Sequence, residues 1–517
     1  MNAQHRVRIC VPICEKTIDG LKDAAARATR EGNALEFRLD CLSNAELKRI
    51  DEVLSGTDLP TILTFRPAEE GGYRQLSYDA RFEFWTRHRK WPSSYLMDLE
   101  LDLVENLTST AIDWTRVIGS QHDVTGPPAD LEQIYERLAR TPVRIIKIAV
   151  QARDVTDCIP IFELLDRARA DGREVIAIAM GQAGIATRIL GPARGNYLTY
   201  GSLVSEAATA PGQITAQQLE SLYRIDRLTR ETQVMGLAGL PVAHSISPHI
   251  HNAAFAAVDF DGVYIPFEVH DVVSFIKSMV DPRTRELDLN IRGLSITAPH
   301  KRTVMDQLNW IDPAGQEIGA VNTIVVEAES LRGYNTDASA FLSTLRRKAG
   351  DLRDAQCAVI GAGGAASAAL WGLKQTGCHA TVFARDVKKA GSLAEKFNAD
   401  VKLLGPTSFD GFDVVVNATP LGTAGAEETE TPARAAHLRG ARLAYDLVYN
   451  PAETQFLREA QDAGCDVLGG LAMLVAQATE QFKLWTGLQA PEQEMQRAAS
   501  DALKLSSESS NRKSGTL

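Results

Sequence analysis

The first 203 residues alternate short apolar runs with amphipathic or polar stretches of helical length. Buried parallel strands that alternate with helices are typical of an α/β layer fold, and eight repeats in roughly 200 residues indicate a compact (β/α)8 barrel. The chain has eight such runs: RVRICVPI, ALEFRLD, TILTFR, YLMDLE, RVIGS, RIIKIAV, EVIAIAM and NYLTYGS. The pattern therefore predicts a TIM barrel in the N-terminal half.

A last barrel helix follows the eight runs, and a second pattern opens beyond it at VMGLAGL. Thr215 and Gln218 have the S/T-x-x-E/Q spacing that satisfies the first backbone donors of a helix, so we expect the last barrel helix to run from there to about Thr229. A further strand is predicted at VMGLAGL. At CAVIGAGGAASAALWGLK an apolar run leads into a glycine-rich turn and an alanine-rich helical stretch, which is typical of a nucleotide-binding unit.

The length of the chain, 517 residues, exceeds what one hydrophobic core supports, because cores stop growing at about 250 to 300 residues. No window approaches the roughly 18 continuous apolar residues of a membrane span. The start, MNAQHRVRIC, lacks the apolar core of a signal peptide and the long Arg- and Ser-rich stretch of a transit peptide. We therefore expect a soluble, cytoplasmic protein with two functional halves.

The net charge indicates which partners are excluded, and the cysteine content indicates whether disulfides are expected. The formal net charge of -11 and the lack of a long basic stretch argue against nucleic acid, whose binders carry clustered positive charge. The seven cysteines are scattered and odd in number, so they do not form a complete disulfide framework. Cys10 and Cys14 are close in sequence but have no partner pairs, and we expect reduced, mostly buried thiols.

Polar residues fall at the late positions of the predicted barrel strands or just beyond them. Active sites of (β/α)8 barrels lie at the carboxyl ends of the strands, so polar residues at these positions are candidates for catalysis. The candidates are Glu36, Arg38, Arg66, Glu70, His122 and Lys147.

Lys147 is the most informative of these candidates because it lies inside the otherwise apolar run RIIKIAV. Burial of an unpaired ammonium would lower its pKa from about 10.4 and leave a neutral, nucleophilic amine. Attack of this amine on a ketone gives an imine, which acidifies the neighbouring carbon, and His122 is placed in the sequence to move that proton. The alternative interpretation, a lysine paired with a carboxylate, is equally compatible with the residues alone.

The motifs ALEFRLD, ILTFRPAEEGG, SQHD, IKIAV, ATRILG and ATAPGQIT, in this order, resemble those of the type I 3-dehydroquinate dehydratases over residues 6 to 225. The resemblance implies that Lys147 forms the imine, that His122 is the general acid/base and that Glu70 orients it. It also implies a substrate-binding set of Glu36, Arg38 and Arg66 for hydroxyls and ring, Arg188 for the carboxylate, Gln213 for a further hydroxyl, and Thr209 where relatives commonly have Ser.

The run VIGAGGAASAAL has the G-x-G-x-x-A spacing of a dinucleotide fingerprint between a strand and a helix. Bare glycines let a pyrophosphate approach the backbone amides at the positive end of the helix. The predicted cofactor contacts in this turn are Gly361, Ala362, Gly363, Gly364, Ala365 and Ala366.

The next predicted strand, HATVFAR, indicates which nicotinamide cofactor is used. Arg385 stands where NAD enzymes usually place an acidic residue on the ribose, which favours the 2′-phosphate of NADP. Asp386 follows at once and qualifies this signal, as does Ala384 where NADP-using relatives commonly have Asn. Lys388 and Lys389 restore positive charge, and Lys389 is a predicted cofactor contact.

The motifs LPVAHSISPHIHNAAF, GLSITAPHK, GAVNTIV, GYNTD, VVNATPLGT, DLVYNP and GGLAMLVAQATEQFKLWTG resemble those of shikimate dehydrogenase over residues 233 to about 488. The resemblance implies that Lys301 and Asp337 form the catalytic pair. Ala338 replaces the usual Gly after NTD, which would tighten the turn that carries Asp337. The implied contacts are Ser245 and Ser247 for the substrate carboxylate, Thr297, Asn322 and Gln477 for its hydroxyls, Tyr449 near substrate and nicotinamide, and Asn417 beside the cofactor.

A zinc site is the rival interpretation of one segment. His244, His249 and His251 fall within eight residues. We do not favour a metal, because the segment supplies no cysteine or carboxylate to complete a zinc site and it matches a substrate-binding motif. His249 is expected on a helix surface, and His251 packed near the start of that helix.

The sequence thus predicts an α/β protein, with a TIM barrel joined to a two-lobed dehydrogenase whose cofactor lobe is a doubly wound Rossmann-type sheet. Two alternatives stay open: a preference for quinate over shikimate, and one non-catalytic half. The connection near Glu231 to Gln233 contains neither Gly nor Pro and is short. The predicted units are a barrel over 1–230, a substrate lobe over 233–338 to which 470–488 returns, an NADP lobe over 339–469, and a polar tail over 506–517.

Overall fold

The computed structural model describes residues 7–54, 58–87, 92, 94–107, 112–203, 214–405 and 407–514. All eight predicted strands of the first half form one parallel sheet with the order β7-β6-β5-β4-β3-β2-β1-β8. They are β1 Ile9–Ile13, β2 Ala34–Arg38, β3 Thr61–Thr64, β4 Tyr95–Glu100, β5 Val117–Asp123, β6 Ile145–Gln151, β7 Glu174–Met180 and β8 Thr199–Tyr200.

The barrel is closed between β7 and β8 largely by one side chain. The carboxamide of Asn196 accepts a hydrogen bond from the Ala177 N–H at 3.0 Å and donates to the Ala177 carbonyl at 3.2 Å, so it acts as a backbone amide would in a sheet. The N–H of Tyr197 adds a bond to the carbonyl of Val175 at 2.7 Å. The predicted (β/α)8 fold is therefore confirmed, with a seam that Asn196 completes.

The barrel helices lie between the strands and begin where side chains satisfy free backbone donors; for example, Thr17 accepts from the N–H of Gly20 at the start of the first helix. They are α1 Ile18–Ala28, α2 Asn44–Leu47, α3 Asp51–Leu54, α4 Tyr78–Arg87, α5 Leu101–Asn106, α6 Leu131–Ala139, α7 Ile159–Ala170 and α8 Ile185–Leu190.

The segment after the barrel strands differs from its prediction. Thr215 and Gln218 bond to each other's backbone N–H groups at 3.1 Å, as the spacing predicts. The helix that they start nevertheless ends at Leu222 in a π-type turn, and a separate short 3-10 helix covers Ile225–Arg227. The expectation of one helix to Thr229 is wrong, because Arg224 between the two has a positive φ of 48° and interrupts the helix.

The second half contains two six-stranded sheets. The first is mixed and has the order β10-β9-β11-β13-β14-β12. Its strands are β9 Gln233–Gly239, β10 Gly262–Glu268, β11 Ile291–Ile296, β12 Trp310–Ile311, β13 Thr323–Val326 and β14 Leu331–Tyr334. Its helices are α9 Ser247–Ala257, α10 Val272–Phe275, α11 Pro313–Ile318 and α12 Thr336–Ala349.

The second of these sheets is wholly parallel and has the order β17-β16-β15-β18-β19-β20, which is the doubly wound 3-2-1-4-5-6 arrangement. Its strands are β15 Gln356–Ile360, β16 His379–Ala384, β17 Asp400–Leu403, β18 Val414–Asn417, β19 Leu443–Asp446 and β20 Asp466–Leu468. The helices from here on are α13 Gly364–Lys374, α14 Val387–Phe397, α15 Ala435–Leu438, α16 Gln455–Asp462, α17 Gly470–Thr486 and α18 Glu492–Ser514.

The chain that returns to the mixed sheet is longer than the 470–488 predicted. Helix α17 packs on α12, and α18 packs on α9, where Met495, Ala499 and Leu503 join the core of the substrate lobe. The backbone of the predicted polar tail is helical as far as Ser514. The apolar residues of α18 therefore bury one face of the helix, which the polar composition of its last residues did not indicate.

The two halves share one hydrophobic core. Ile189 of α8 and Phe162 of α7 belong to the same buried cluster as Ile265 and Phe267 of β10. No described helix is long and apolar enough to cross a membrane. The cytoplasmic location stays a prediction.

One cysteine expectation is wrong. Cys14, after β1, and Cys41, after β2, are joined in a disulfide, with Cα atoms 5.5 Å apart. Parallel neighbouring strands place their following loops side by side, which sequence spacing does not reveal. Of the five free thiols, Cys10, Cys158, Cys357 and Cys465 are buried and Cys378 is half-buried.

Candidate active sites

The predicted polar residues of the barrel meet at its carboxyl-terminal mouth. Almost none of their surface is exposed, because the side chains point into the barrel from strands packed on both faces. The buried members are Glu36 and Arg38 of β2, Arg66 after β3, His122 of β5 and Lys147 of β6.

Lys147 lies between two carboxylates. Its Nζ is 2.8 Å from Oδ2 of Asp98 and 3.4 Å from Oε1 of Glu36, and it lies 4.9 Å from the centre of the Tyr200 ring. The expectation of an unpaired ammonium is therefore wrong, and the carboxylate-paired interpretation describes the geometry. A paired lysine at the mouth of a barrel can still act as a nucleophile once it passes its proton to a neighbouring group.

Asp98 is the principal partner of Lys147 and was missed from the sequence. Its Oδ2 also accepts a bond from the Arg66 guanidinium at 2.7 Å. Burial by itself would raise the pKa of Asp98, but Arg66 and Lys147 outweigh burial and hold that pKa well below its usual range. The signal was present, because Asp98 interrupts the buried strand YLMDLE just as Lys147 interrupts its own strand.

His122 and Glu70 form a contact that suits proton transfer. Nδ1 of His122 lies 3.2 Å from Oε2 of Glu70, and the His122 N–H donates to the same oxygen at 3.0 Å. Burial, and then the positive charges of Arg66 and Lys147, lower the pKa of His122 well below its ordinary value. The imidazole is therefore neutral near pH 7 and available as a base.

Glu70 lies at the end of the 3-10 helix Ala68–Glu70, after β3. Burial and the nearby Glu100 raise the pKa of Glu70 to about 8. The protonation of Glu70 thus changes in a range where it can set which nitrogen of His122 carries the proton.

The two remaining arginines of the mouth differ in their partners. Arg38 is held by Asp40 through two bonds of 3.0 and 2.8 Å. Arg188, in α8, is 2% exposed and forms no ion pair with any residue that the structure describes, although burial lowers its pKa only to about 10. A buried, charged guanidinium without a counter-ion is suited to an anionic ligand such as a carboxylate. The other two predicted contacts, Thr209 and Gln213, lie outside the described residues.

In the second half, the predicted catalytic pair is in contact. Nζ of Lys301 lies 2.6 Å from Oδ2 of Asp337, and the Asn322 carboxamide donates to the other oxygen of Asp337 at 2.8 Å. Asp337 occupies the first turn of α12, which is capped by Asn335. Ala338 is an ordinary helical residue there and its N–H bonds to the Asn335 side chain, so the predicted tightening of the turn does not occur.

The predicted substrate contacts lie after β9, after β11, after β19 and on α17. Ser245 and Ser247 follow β9, and Thr297 follows its parallel neighbour β11, so both loops leave the same edge of the sheet. Tyr449 packs with the apolar residues beside the serines. Gln477 lies on α17, where its side chain bonds to the Leu474 carbonyl at 3.1 Å.

A buried polar network behind Asn322 was missed. Gln481 accepts a bond from Ser295 at 2.9 Å and donates to Thr323 at 2.9 Å. Thr323 in turn donates to Asn322 at 2.9 Å. Gln481 follows Gln477 by four residues on one helix face, which was the available signal.

The glycine-rich turn forms the cofactor side of the second half. Gly361 has φ of 117°, and a Cβ on it would lie 2.9 Å from the Ala418 carbonyl oxygen, so only glycine fits. A Cβ on Gly363 or Gly364 would meet no heavy atom within 4 Å, which leaves open space at the start of α13. This cradle fits a pyrophosphate approaching the helix N-terminus, whereas Ala366 is buried against the sheet.

Arg385 and Asp386 have different environments in the structure. Asp386 is the N-cap of α14, and its carboxylate accepts a bond from the Lys389 N–H at 3.0 Å. It is therefore engaged with the helix. Arg385 is exposed after the end of β16, at the same sheet edge as the glycine turn, and has no ion pair within the described ranges. Ala384 is buried at the end of β16.

The side chain of Asn417 is engaged in hydrogen bonds within the protein. It is fully buried, donates to Asp446 at 2.9 Å and to the Leu421 carbonyl at 3.2 Å, and accepts from Thr419 at 2.6 Å. These bonds fix the conformation of the loop after β18, which lies beside the glycine turn. Asn417 therefore positions the wall of the cofactor cleft rather than presenting a free group.

The histidine segment does not form a metal centre among the described residues, where no group of three His, Cys, Asp or Glu side chains could hold an ion. His251 is buried and stacks on Tyr264 with ring centres 4.4 Å apart. Burial lowers its pKa to about 3. His249 is half-buried in α9 rather than fully on its surface.

Family models match both halves. The type I 3-dehydroquinase model matches residues 9–230, the shikimate dehydrogenase substrate binding domain matches 237–324, and the shikimate 5'-dehydrogenase C-terminal domain matches 470–499. A solved shikimate 5-dehydrogenase from Thermus thermophilus, in complex with NADP(H) and shikimate, is 34% identical, covers 52% of this chain and 100% of its own, and has a TM-score of 0.48.

Two relatives span both halves. The chloroplastic bifunctional 3-dehydroquinate dehydratase/shikimate dehydrogenase of Arabidopsis thaliana is 33% identical over 94% of this chain and 83% of its own length. The shikimate biosynthesis protein AroDE of Chlamydia pneumoniae is 26% identical over 92% of this chain and 95% of its own. Within the second half, a shikimate dehydrogenase (NADP(+)) of Moorella thermoacetica is 39% identical over 53% of this chain and 95% of its own. The chain therefore belongs to the bifunctional 3-dehydroquinate dehydratase/shikimate dehydrogenase family.

Proposed function

We propose that the named residues of the two sites carry out two consecutive steps of the shikimate pathway. The barrel dehydrates 3-dehydroquinate to 3-dehydroshikimate, and the second half reduces that product to shikimate with NADPH. The observation that carries the proposal is the pairing in each half of a lysine with a carboxylate: Lys147 with Asp98, and Lys301 with Asp337.

In the dehydratase step, Lys147 attacks the substrate ketone. Asp98 lies 2.8 Å from its Nζ and holds the amine in place, while the neutral His122 takes the proton that the amine must lose and returns it to the departing hydroxyl. Water leaves as the imine forms, and the protonated imine then draws electrons from the neighbouring carbon. Arg188 anchors the substrate carboxylate, which fixes the ring over Lys147.

His122 moves the next proton. As a neutral base, with Nδ1 facing Glu70, it removes a proton from the carbon next to the imine. The hydroxyl on the following carbon leaves as water when the same imidazole returns the proton to it. Hydrolysis of the imine releases the enone and restores Lys147.

In the reductase step, NADPH supplies the hydride when bound. The ketone oxygen gains negative charge as it is reduced, and Lys301 is the adjacent cation that protonates it. Asp337 holds Lys301, and Asn322 fixes Asp337 through its second oxygen. Ser245 and Ser247 bind the substrate carboxylate, and Thr297, Gln477 and Tyr449 border the ring.

The residues for the cofactor are the glycine turn and Arg385. The turn holds the pyrophosphate at the start of α13, and Arg385 holds the 2′-phosphate, with Lys388 and Lys389 nearby. Asp386 does not compete for the ribose because its carboxylate caps α14.

A coupled assay tests the proposal. The full-length chain is supplied with 3-dehydroquinate and either NADPH or NADH, and formation of 3-dehydroshikimate and shikimate is measured separately. We expect both products in order, with NADPH much preferred. Reduction of 3-dehydroquinate to quinate in place of 3-dehydroshikimate to shikimate, or product from only one step, would contradict it.

A further inference from the structure

Helix α8, which carries Arg188, lies between the two halves. All six of its residues are buried, although an outer barrel helix ordinarily leaves one face to solvent. It packs on β7 inside the barrel and on β10 of the substrate lobe. The second half therefore covers the face of α8 that a separate barrel would expose.

Strand β10 is an edge of the mixed sheet. Edge strands are commonly covered by a helix or loop because their apolar surface and backbone groups are otherwise exposed. Here Ile265 and Phe267 of β10 share a core cluster with Ile185 and Ile189 of α8. The barrel helix and the edge strand thus bury each other.

Both flanks of α8 are also bonded to the second half. After its C-terminal end, the buried Arg194 donates from its guanidinium to the Asp288 carbonyl at 2.7 Å. On the other side, Asp154 caps the 3-10 helix Val155–Cys158 that packs on α8, and its Oδ2 accepts from the His270 N–H at 2.6 Å. The position of α8 is therefore fixed from the dehydrogenase side at both ends.

We propose that Arg194 is a positioning residue for the dehydratase, which aligns Arg188 with the substrate by bonding to the dehydrogenase half. This inference rests on the carboxylate-binding role proposed for Arg188. It follows that the dehydrogenase half is part of the framework of the first active site, and that the fusion serves the binding of 3-dehydroquinate.

The test uses full-length Arg194→Ala, with Arg173→Ala as the matched control. Arg173 also donates to a backbone carbonyl, that of Val143 at 2.9 Å, but both residues lie within the barrel. We expect Arg194→Ala to raise KM for 3-dehydroquinate about tenfold with kcat changed less than about threefold. Arg173→Ala should leave both within about twofold, and reduction of 3-dehydroshikimate should be unchanged in each variant.

A double-mutant cycle separates positioning from a general structural loss. If Arg194 acts through Arg188, then Arg194→Ala made in the Arg188→Ala background raises KM no further. Arg194→Lys, which keeps a donor, should recover part of the loss. Faster amide exchange over residues 185–190 in Arg194→Ala would accompany the KM change.

Three outcomes are distinguished. If Arg188→Ala leaves KM unchanged, the role proposed for Arg188 fails. If Arg188→Ala raises KM but Arg194→Ala does not, or if the two effects add, the positioning role of Arg194 fails. Should Arg194→Ala not fold, Asp154→Ala provides the same cycle from the other flank of α8, with the same expected KM increase and the same overturning result.

Discussion

The two active sites differ in how far the protein alone closes them. The dehydratase site lies inside the barrel, where the side chains of Lys147 and Asp98 are 4% and 0% exposed. In the dehydrogenase, those of Lys301 and Asp337 are 33% and 20% exposed, beside an open glycine turn. Charges in the first site therefore tune one another strongly, whereas the second site requires substrate and cofactor to exclude water.

The difference has a mechanistic reason. A lysine that forms a covalent bond to substrate needs neighbours that fix its orientation before substrate arrives. Asp98 and Glu36 contact the lysine, and Arg66 holds Asp98. The reductase binds two ligands that supply much of the surroundings of Lys301. Its protein framework is accordingly the buried network behind Asn322 rather than a cluster around the lysine.

The largest expected effect is the loss of activity at the dehydratase site. Lys147→Ala should abolish dehydration because it removes the amine that forms the imine, and it should spare reduction of 3-dehydroshikimate. Borohydride added with 3-dehydroquinate should leave a covalent ligand on the peptide that contains Lys147 in the unmodified chain. An unchanged dehydration rate in the variant would rule out the imine mechanism.

In the open site, Lys301→Ala should lower kcat of the reductase by about 10² to 10⁴, as expected for loss of a positioned acid. Lys374→Ala is the matched control, because Lys374 forms an ion pair with Glu317 at 2.7 Å on the surface of the same half. A rise in KM with kcat nearly constant would assign Lys301 to binding instead.

Arg385→Ala should weaken the binding of NADPH by about ten- to a hundredfold, because it removes charge-assisted bonds to a phosphate. The binding of NADH should be nearly unchanged. The control is Arg439→Ala. Arg439 is an exposed arginine before the amino end of β19, at the other edge of the sheet from the glycine turn. The measurement is KM for each cofactor. Equal losses for both would show that Arg385 does not contact the 2′-phosphate.

The smallest expected effect is a pH dependence of dehydration, which the reductase should not share. Since the pKa of Glu70 is raised to about 8, Glu70 is protonated below pH 8 and ionised above it. Ionised Glu70 accepts the Nδ1 proton of His122 and leaves Nε2 free as the base. We expect kcat/KM of dehydration to rise about fivefold from pH 7 to pH 8 and to level off above about pH 9.

Glu70→Gln should remove this dependence, because the carboxamide does not titrate. The pH profile of the reductase, measured on the same preparations, is the control and should be the same with and without the substitution. A dehydratase profile that keeps its rise near pH 8 in Glu70→Gln would assign the titration to another group, of which Glu100 is the first candidate.

Local pattern was sufficient for much of this protein. The eight barrel strands, the glycine turn and Lys147 could be predicted because buried strands and tight turns restrict neighbouring residues in the chain. Lys301 was predicted from the motif resemblance alone. The motif resemblances then identified Arg188, which has no periodic signal of its own. Thr209 and Gln213 stay predictions.

Only the tertiary structure decided which groups meet. The pairing of Lys147 with Asp98 joins residues 49 apart, and the Cys14–Cys41 bond joins residues 27 apart. The use of Asp386 as a helix cap and the cover that β10 gives α8 likewise depend on where elements lie in space. The sequence by itself determined the elements and their reactive residues, since these follow from neighbours along the chain. Partners depend on distances across the fold, which only packing sets.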